Sequence, residues 1–260
     1  MDLETYLRRK LKSKPLLIMT HIVIGYPSFR ESWVLARTMI DAGVDLMELQ
    51  IPFSEPMADG PVILQANQKA LEAGATVKKC FDFAKELAGQ VEIPLLFMSY
   101  YNLLFKHGVA RFAAESKAMG MAGAIVPDLP IEEGEEYLAA MRAEHLAPVG
   151  LFAPNTPDER MRLIGERSAG MVYCVARKGV TGAKTDFSTD LTSYLERARR
   201  ATTLPLSVGF GLKERADVDF LKGKADVAIV GSETLRVLHE SGIRGLGDFM
   251  RSLTQPAHGV

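Results

Sequence analysis

The sequence has little cysteine and no long hydrophobic segment. Its two cysteines, Cys80 and Cys174, form neither a CxxC pair nor a metal-ligand spacing with histidine, so they are expected to be reduced thiols rather than disulfide or zinc-binding residues. No apolar run approaches the roughly 18 residues that a membrane span needs. The N-terminal residues 1–14 are charged and do not resemble a signal peptide. A cytoplasmic location is therefore expected.

The chain also lacks an excess of charge of either sign. Its 31 Lys and Arg residues nearly balance its 32 Asp and Glu residues, giving a formal net charge of −1. A broad basic surface for nucleic acid or for an anionic membrane is therefore not predicted. Low-complexity linkers and abrupt changes of composition are also missing from the 260 residues, so a single domain spanning residues 1–260 is expected.

The sequence does contain one repeated pattern, in which a short apolar run is followed by a loop and then by an amphipathic stretch. Continuous apolar runs are typical of parallel strands that are covered on both faces. The eight runs are residues 15–24, 45–51, 93–100, 122–128, 146–153, 171–176, 204–210 and 225–231. Eight strands alternating with helices predict an α/β fold of the (β/α)₈ barrel type, a TIM barrel. The alternative is a doubly wound open sheet, which usually has fewer strands and a Gly-rich first turn.

The two ends of the chain are expected to lie outside the barrel repeat. Residues 1–13 are predicted to form an extra N-terminal helix that covers the bottom of the barrel. Residues 254–260, which include a proline and a glycine, are predicted to form a loose tail.

The second apolar run leads into a stretch with three acids and no base. Residues 47–61 contain Glu48, Glu55 and Asp59, and no Lys or Arg occurs between Arg37 and Lys69. Strand alternation would direct Glu48 into the barrel, near the C-terminal strand ends where barrel active sites lie. Burial there would raise its pKa and suit it to general acid and base catalysis. The alternative, an acid paired with a distant arginine or with backbone donors, is equally compatible with the pattern, and Asp59 alone suggests a structural role.

Glycines follow the last three strands of the predicted barrel. The long loop at residues 176–190 contains glycines on both sides of a threonine, as in a mobile lid. Gly209 and Gly211 follow strand seven, and Gly231 and Ser232 follow strand eight, immediately before helices. Barrels often bind phosphate at these two strand ends, where helix N-terminal N–H groups favour an anion. Together with Glu48, this pattern predicts an enzyme for a small phosphorylated substrate, although the glycines could serve only as turns.

One motif extends this prediction. The sequence ELQIPFSEPMADGP, residues 48–61, closely resembles the signature ELG(I/V)PFSDP(L/M)ADGP of the tryptophan synthase α subunit family. Further matches follow in the family's order and at close to its spacing. They are IGYPS (24–28), YYN (100–102), VPDLPIEE (126–133), RKGVTGAKT (177–185), GFG (209–211) and GS (231–232).

The resemblance covers nearly the whole chain and implies a (β/α)₈ barrel lyase of tryptophan biosynthesis. Members of the family cleave indole-3-glycerol phosphate to indole and glyceraldehyde 3-phosphate. They work with a β subunit, usually as an αββα heterotetramer. The pyridoxal phosphate is expected only in the β partner, and no cofactor or metal is expected in this chain.

The resemblance also implies roles for individual residues. Glu48 and Asp59 match the family's catalytic carboxylates, and Thr181 matches a lid threonine that helps to position the aspartate. Tyr173 matches a tyrosine beside the substrate, and Tyr100 and Phe210 match residues of the indole pocket. The residues that match the phosphate site are Gly182, Gly211, Gly231 and Ser232.

Four residues depart from the family pattern, and one of them is Val23, which stands where the family has a threonine on the first strand. Gln50 replaces a glycine, and it could narrow the pocket, hydrogen-bond to Glu48 or change which indole analogue fits. His21 replaces an aromatic or aliphatic residue on the first strand, so His21 and Gln50 are candidates for modifying the pocket. Glu55 replaces an aspartate in a loop that meets the β subunit. The departures leave two alternatives: a paralogous lyase acting on another phosphorylated substrate, and a mainly non-catalytic partner that activates a β subunit.

Overall fold

The structure is a computed structural model that describes residues 2–176, 187–209 and 211–255. Eight parallel strands pair in sequence order and close into a barrel, since β1 pairs with both β2 and β8. The strands are β1 Leu17–Val23, β2 Leu46–Gln50, β3 Leu95–Met98, β4 Gly123–Ile125, β5 Ala147–Phe152, β6 Val172–Val175, β7 Leu206–Gly209 and β8 Val227–Val230. Closure confirms the predicted (β/α)₈ class and rules out the open doubly wound sheet.

Helices connect consecutive strands on the outside of the barrel. They are α1 Leu3–Leu11, α2 Phe29–Asp41, α3 Pro61–Glu72, α4 Val77–Ala88, α5 Tyr101–His107, α6 Val109–Ala118, α7 Glu135–Ala143, α8 Asp158–Arg167, α9 Phe187–Ala201, α10 Arg215–Leu221 and α11 Ser232–Thr254. Within the described ranges, none of these helices combines the length and apolar character needed to cross a bilayer. Helix α11 extends to Thr254, the first residue of the predicted tail, and residues 256–260 lie outside the described part of the chain.

An apolar cluster between the barrel and the outer helices shows which way the side chains of β2 point. Met47, Leu49 and Ile51 pack in one cluster with residues of α2 such as Leu35 and Met39, so they face the outer helices. The alternate residues of the strand therefore face the barrel interior, because successive strand side chains point to opposite sides. Glu48 and Gln50 are both buried on this inner side.

Helix α1 covers the N-terminal end of the barrel, as the sequence predicts. Its buried residues Leu3, Tyr6 and Leu7 belong to the interior cluster that also contains Leu17 and Met19 of β1. This apolar cluster fills the bottom of the barrel, whereas the inward-facing Glu48 and Gln50 lie towards the opposite end.

A buried aspartate fixes β1 against β2 at this bottom end. The Asp45 side chain is only 3% exposed and accepts hydrogen bonds from the Ile18 backbone N–H at 3.0 Å and from Lys14 at 2.6 Å. The Tyr6 hydroxyl of α1 donates to the Asp45 carbonyl at 3.1 Å. Asp45 therefore helps to set the alignment in which His21 lies beside Glu48 and Val23 beside Gln50.

Asp45→Ala is expected to lower the free energy of unfolding by about 1–3 kcal/mol, because it leaves the buried Ile18 N–H without an acceptor. The matched control is Asp41→Ala, which removes an exposed carboxylate 3.5 Å from Arg37 and should change stability by less than about 0.5 kcal/mol. Urea denaturation of both variants measures the difference. Equal losses in the two variants would show that Asp45 does not fix the strand pair.

Candidate active site

The C-terminal ends of the strands bring together most of the sequence-predicted site residues that the structure describes. Glu48 is the third residue of β2, and Tyr100 follows β3. Tyr173 lies in β6, and Ser232 begins α11 directly after β8. Asp59 comes from the loop between β2 and α3. Thr181, Gly182 and Phe210 lie outside the described residues, so their roles stay predictions.

Glu48 is a buried carboxyl group with no charge of opposite sign beside it. It is 5% exposed and lies between His21 of β1 and Leu96 of β3 in the sheet. Among the described residues, its carboxyl group has neither a hydrogen bond nor an ion pair. Burial, and secondly the negative charge of Asp59, raises the pKa of Glu48 from 4.5 to about 8. A carboxylic acid with this pKa can donate a proton at neutral pH and accept one afterwards.

Asp59 is held by hydrogen bonds from one residue of β2 and from another that follows β3. Its Oδ2 atom accepts from Gln50 Nε2 at 2.7 Å and from the Tyr100 hydroxyl at 2.9 Å. The Tyr100 oxygen in turn accepts from the Ala58 backbone N–H at 3.1 Å, which ties the loop to the ring. Gln50 also contacts His21, with its Oε1 atom 2.7 Å from His21 Nε2. Of the predicted alternatives for Gln50, hydrogen bonding to Glu48 is not seen among the described residues, since the amide contacts Asp59 and His21 instead.

Tyr100 is completely buried, and its position depends on neighbours that the sequence did not single out. Phe53, from the loop after β2, stacks on the Tyr100 ring with 5.2 Å between centroids. Asp128 accepts hydrogen bonds from the Tyr101 N–H at 2.8 and 3.1 Å, which anchors the start of α5. Phe53 could have been noticed because it lies inside the matched motif of residues 48–61, although nothing in the sequence indicated that it stacks on Tyr100.

Tyr173 packs against the end of β7 and is close enough to both carboxylates to be affected by their charges. Burial raises its pKa well above the ordinary value, and the charges of Glu48 and Asp59 raise it further, as expected for a phenol close to both acids. Its hydroxyl lies so close to Gly209 that a Cβ atom there would be 2.5 Å away. The glycine that ends β7 therefore leaves room for the Tyr173 ring.

A cavity of about 220 Å³ runs from Asp59 and Tyr173 to the start of α11. Gly211, Gly231 and Ser232 line its far end. The first N–H groups of a helix have no intrahelical acceptor and favour an anion. Gly211 has a φ of +78° with open space around it, which leaves its backbone accessible. This end of the cavity can therefore hold a phosphate group.

Two charged residues at the same end were missed by the sequence analysis. Glu233 and Arg236 line the cavity and form an ion pair near the N-terminus of α11. Their spacing of three residues on a helix is the signal that could have identified the pair. No group of three or more His, Cys, Asp or Glu side chains in the described ranges is arranged to hold a metal ion.

Comparison with known proteins gives one consistent result. A family model described as tryptophan synthase alpha chain matches residues 7–253. The tryptophan synthase alpha chain of Syntrophotalea carbinolica is 59% identical over 251 residues, which cover 96% of this chain and 99% of the relative. That of Desulforapulum autotrophicum is 56% identical with the same coverage.

Solved structures agree with the sequence matches. Tryptophan synthase from Mycobacterium tuberculosis superposes with a TM-score of 0.88 at 29% identity, covering 97% of this chain and 96% of that one. The tryptophan synthase complex from Pyrococcus furiosus gives a TM-score of 0.82 at 31% identity, covering 91% of this chain and 97% of that one.

Proposed function

Because the chain belongs to the tryptophan synthase alpha chain family, we propose that Glu48 and Asp59 are the carboxylates with which it cleaves indole-3-glycerol phosphate. The products are indole and glyceraldehyde 3-phosphate, and the reaction is that of a carbon–carbon lyase in tryptophan biosynthesis. The observation that carries the assignment is the buried, unpaired Glu48, whose pKa is raised by burial and by the charge of Asp59. Asp59 in turn lines a cavity that also contains the N-terminal residue of α11, Ser232. The cytoplasmic location stays a prediction from the sequence.

The reaction needs one proton delivered and another removed. A proton is added to C3 of the indole ring, and the C3′ hydroxyl of the glycerol chain loses its proton. When the C3–C3′ bond breaks, its electron pair returns to the ring and C3′ becomes the aldehyde carbon. A carboxyl group that starts protonated can donate the first proton and, as the carboxylate, accept the second. Glu48 would then end each cycle in its starting form.

Asp59 would act on the other side of the ring. Protonation at C3 gives the indole nitrogen positive charge, and a carboxylate that accepts the ring N–H stabilises this intermediate. Tyr100 and Tyr173 would line the ring site. Gly211, Gly231 and Ser232 would hold the phosphate, as the lining of the far end of the cavity supports. Thr181, Gly182 and Phe210 keep the roles that the family resemblance implies.

A β subunit is the expected partner, and we place it over the C-terminal strand ends. The side chains of Met57 and Phe105 are 81% and 67% exposed, and they follow the neighbouring strands β2 and β3. Glu55 is also exposed in the loop after β2. Exposed apolar side chains beside charge are typical of a docking surface. We propose an αββα assembly in which pyridoxal phosphate belongs to the β subunit and this chain works without a cofactor.

The proposal is tested by incubating the purified chain with indole-3-glycerol phosphate, with and without a tryptophan synthase β subunit, and measuring indole. We expect indole in both cases and faster release with the β subunit. Indole in neither case, with cleavage of another phosphorylated substrate, would favour a paralogous lyase. If the chain forms no indole and only accelerates the β reaction, it is a non-catalytic partner.

The raised pKa of Glu48 predicts how activity depends on pH. Because the protonated form starts the reaction, kcat/KM for indole release should fall as pH rises through about 8. Since the charge of Asp59 contributes to the raised pKa of Glu48, the residual activity of Asp59→Asn should decline at a lower pH than that of the wild type. The measurement is kcat/KM between about pH 6 and pH 10. A profile that stays flat through this range would refute the role of Glu48 as the starting acid.

A further inference from the structure

The Gln50 side chain connects His21 to Asp59. It is completely buried at the C-terminal end of β2, with its Nε2 atom 2.7 Å from Asp59 Oδ2. Its Oε1 atom lies 2.7 Å from His21 Nε2, and His21 is only 4% exposed. Gln50 and His21 are both residues at which the chain departs from the family pattern.

The Asp59 carboxylate determines the direction of the hydrogen bonds that link Asp59, Gln50 and His21. An ionised carboxylate can only accept, so the amide nitrogen of Gln50 must be the atom that faces Asp59. The amide oxygen then faces His21, and His21 Nε2 must carry a hydrogen to donate to it. Burial lowers the pKa of His21, against the opposing effects of the Asp59 charge and the Gln50 contact. The ring is therefore neutral, with its hydrogen on Nε2 and a bare Nδ1.

The two donors to Asp59 converge on a single oxygen atom. Gln50 and Tyr100 both donate to Oδ2, whereas Oδ1 has no hydrogen bond from any described residue. The two bonds come from Gln50 of β2 and from Tyr100, which follows β3, and both hold the Oδ2 atom. They leave Oδ1 available to accept a hydrogen bond from a ligand.

His21 and Gln50 also depend on each other. A buried glutamine opposite an apolar residue at position 21 would leave its amide oxygen without a donor, which is costly in a protein interior. His21 supplies that donor, and without the contact its own Nε2–H would be buried without an acceptor. The two departures from the family motif therefore compensate for each other.

We propose that Gln50 and His21 are a pair of positioning residues, which hold the Asp59 carboxylate so that Oδ1 faces the N–H group of the substrate ring. This inference rests on the proposed lyase function, in which Asp59 contacts the substrate. Neither Gln50 nor His21 needs to touch the reacting atoms. Their effect on the reaction is transmitted through the orientation of Asp59.

Gln50→Met keeps similar length and apolar volume but removes both hydrogen bonds. We expect kcat for indole release to fall about 10- to 100-fold, the size of loss associated with misplacing a reacting group, while KM changes less than about threefold. His21→Phe should give a smaller loss, and the double variant should be no worse than Gln50→Met alone. The matched control is Thr20→Val, because Thr20 is a buried neighbour of His21 on β1 whose hydroxyl has no partner in the described structure.

Two measurements separate this pairing from a purely structural role. In an Asp59→Asn background, Gln50→Met should cause little further loss of kcat, because its effect acts through the Asp59 carboxylate. A full-size loss in that background, or independent losses from His21→Phe and Gln50→Met, would overturn the inference. If the wild type releases no indole, the proposed function fails. The tautomer of the His21 ring then still tests the hydrogen bonds that join His21, Gln50 and Asp59.

The tautomer is measured on the wild-type protein and needs no variant to be active. Histidine ring ¹⁵N NMR should show His21 neutral, with its hydrogen on Nε2, and the signal can be assigned by its loss in His21→Phe. A charged ring, or a neutral ring with its hydrogen on Nδ1, would contradict the predicted hydrogen-bond directions and with them the positioning role.

Discussion

Glu48→Gln is expected to lower kcat for indole release by about 10³- to 10⁴-fold, because one side chain supplies both proton transfers in the proposed reaction. Glutamine has nearly the same size and hydrogen-bonding reach but cannot donate and recover a proton. Binding of glycerol 3-phosphate, a probe of the phosphate site, should be nearly unchanged, because Gly231 and Ser232 line the cavity and Glu48 does not. Steady-state kinetics and calorimetric titration measure the two effects separately.

The control for Glu48→Gln is the same change at an exposed glutamate. Glu92 precedes β3 at the far end of the barrel and is exposed. Glu92→Gln should retain wild-type kcat. Near-normal turnover by Glu48→Gln would remove Glu48 from the reaction, and weak glycerol 3-phosphate binding by the same variant would point to a disturbed fold instead.

The stability of Glu48→Gln provides a test that does not depend on activity. The folded-state pKa of Glu48, about 8, lies above the ordinary value of 4.5. The stability contributed by the protonated carboxyl is therefore complete below pH 4.5 and is lost as pH rises through about 8. A glutamine does not titrate, so the variant should gain stability relative to the wild type over this range, by on the order of 1.4 kcal/mol per pKa unit. If the difference in the free energy of unfolding between the two proteins did not change with pH, the pKa of Glu48 would not be raised.

Asp59→Asn is expected to lower kcat by about 10²- to 10³-fold, the cost of removing one preorganised group that stabilises charge in the transition state. Asparagine can still accept hydrogen bonds from Gln50 and Tyr100, so the loop should keep its position. What it loses is the negative charge that stabilises the protonated ring. The loss should therefore appear in kcat, with KM for indole-3-glycerol phosphate changing much less.

Tyr100→Phe is the graded control for Asp59→Asn. It removes one of the two donors to Oδ2 and keeps the ring that stacks on Phe53. Its kcat should fall by less than that of Asp59→Asn, because the carboxylate and its Gln50 bond remain. If Asp59→Asn retained kcat within about threefold of the wild type, Asp59 would have only a structural role.

The barrel could be predicted from the sequence because each strand is covered on both faces. Such strands are continuous apolar runs, and a polar residue within one, such as Glu48, stands out. The alternation of strand side chains then placed Glu48 and Gln50 on one face, which agrees with the burial of both on the inner side of β2. These inferences depend on neighbouring residues, whose relation is fixed by local backbone geometry.

The contacts of Gln50 could not be predicted in the same way. Its bonds join residues 29 and 9 positions away along the chain, and only barrel closure and the path of the β2–α3 loop bring them together. The role of Gly209 could not be predicted either, because its sequence context suggests a turn that binds phosphate. The structure shows that a side chain there would meet the Tyr173 hydroxyl from the neighbouring strand.

The central claim is that Glu48 transfers both protons in the cleavage of indole-3-glycerol phosphate. Its most direct test is to measure indole and glyceraldehyde 3-phosphate together, for the wild type and for Glu48→Gln, at equal concentrations of each protein and with a saturating β subunit. We expect equal amounts of the two products from the wild type and a rate at least about 10³-fold lower from Glu48→Gln. Comparable product formation by both proteins would contradict the claim.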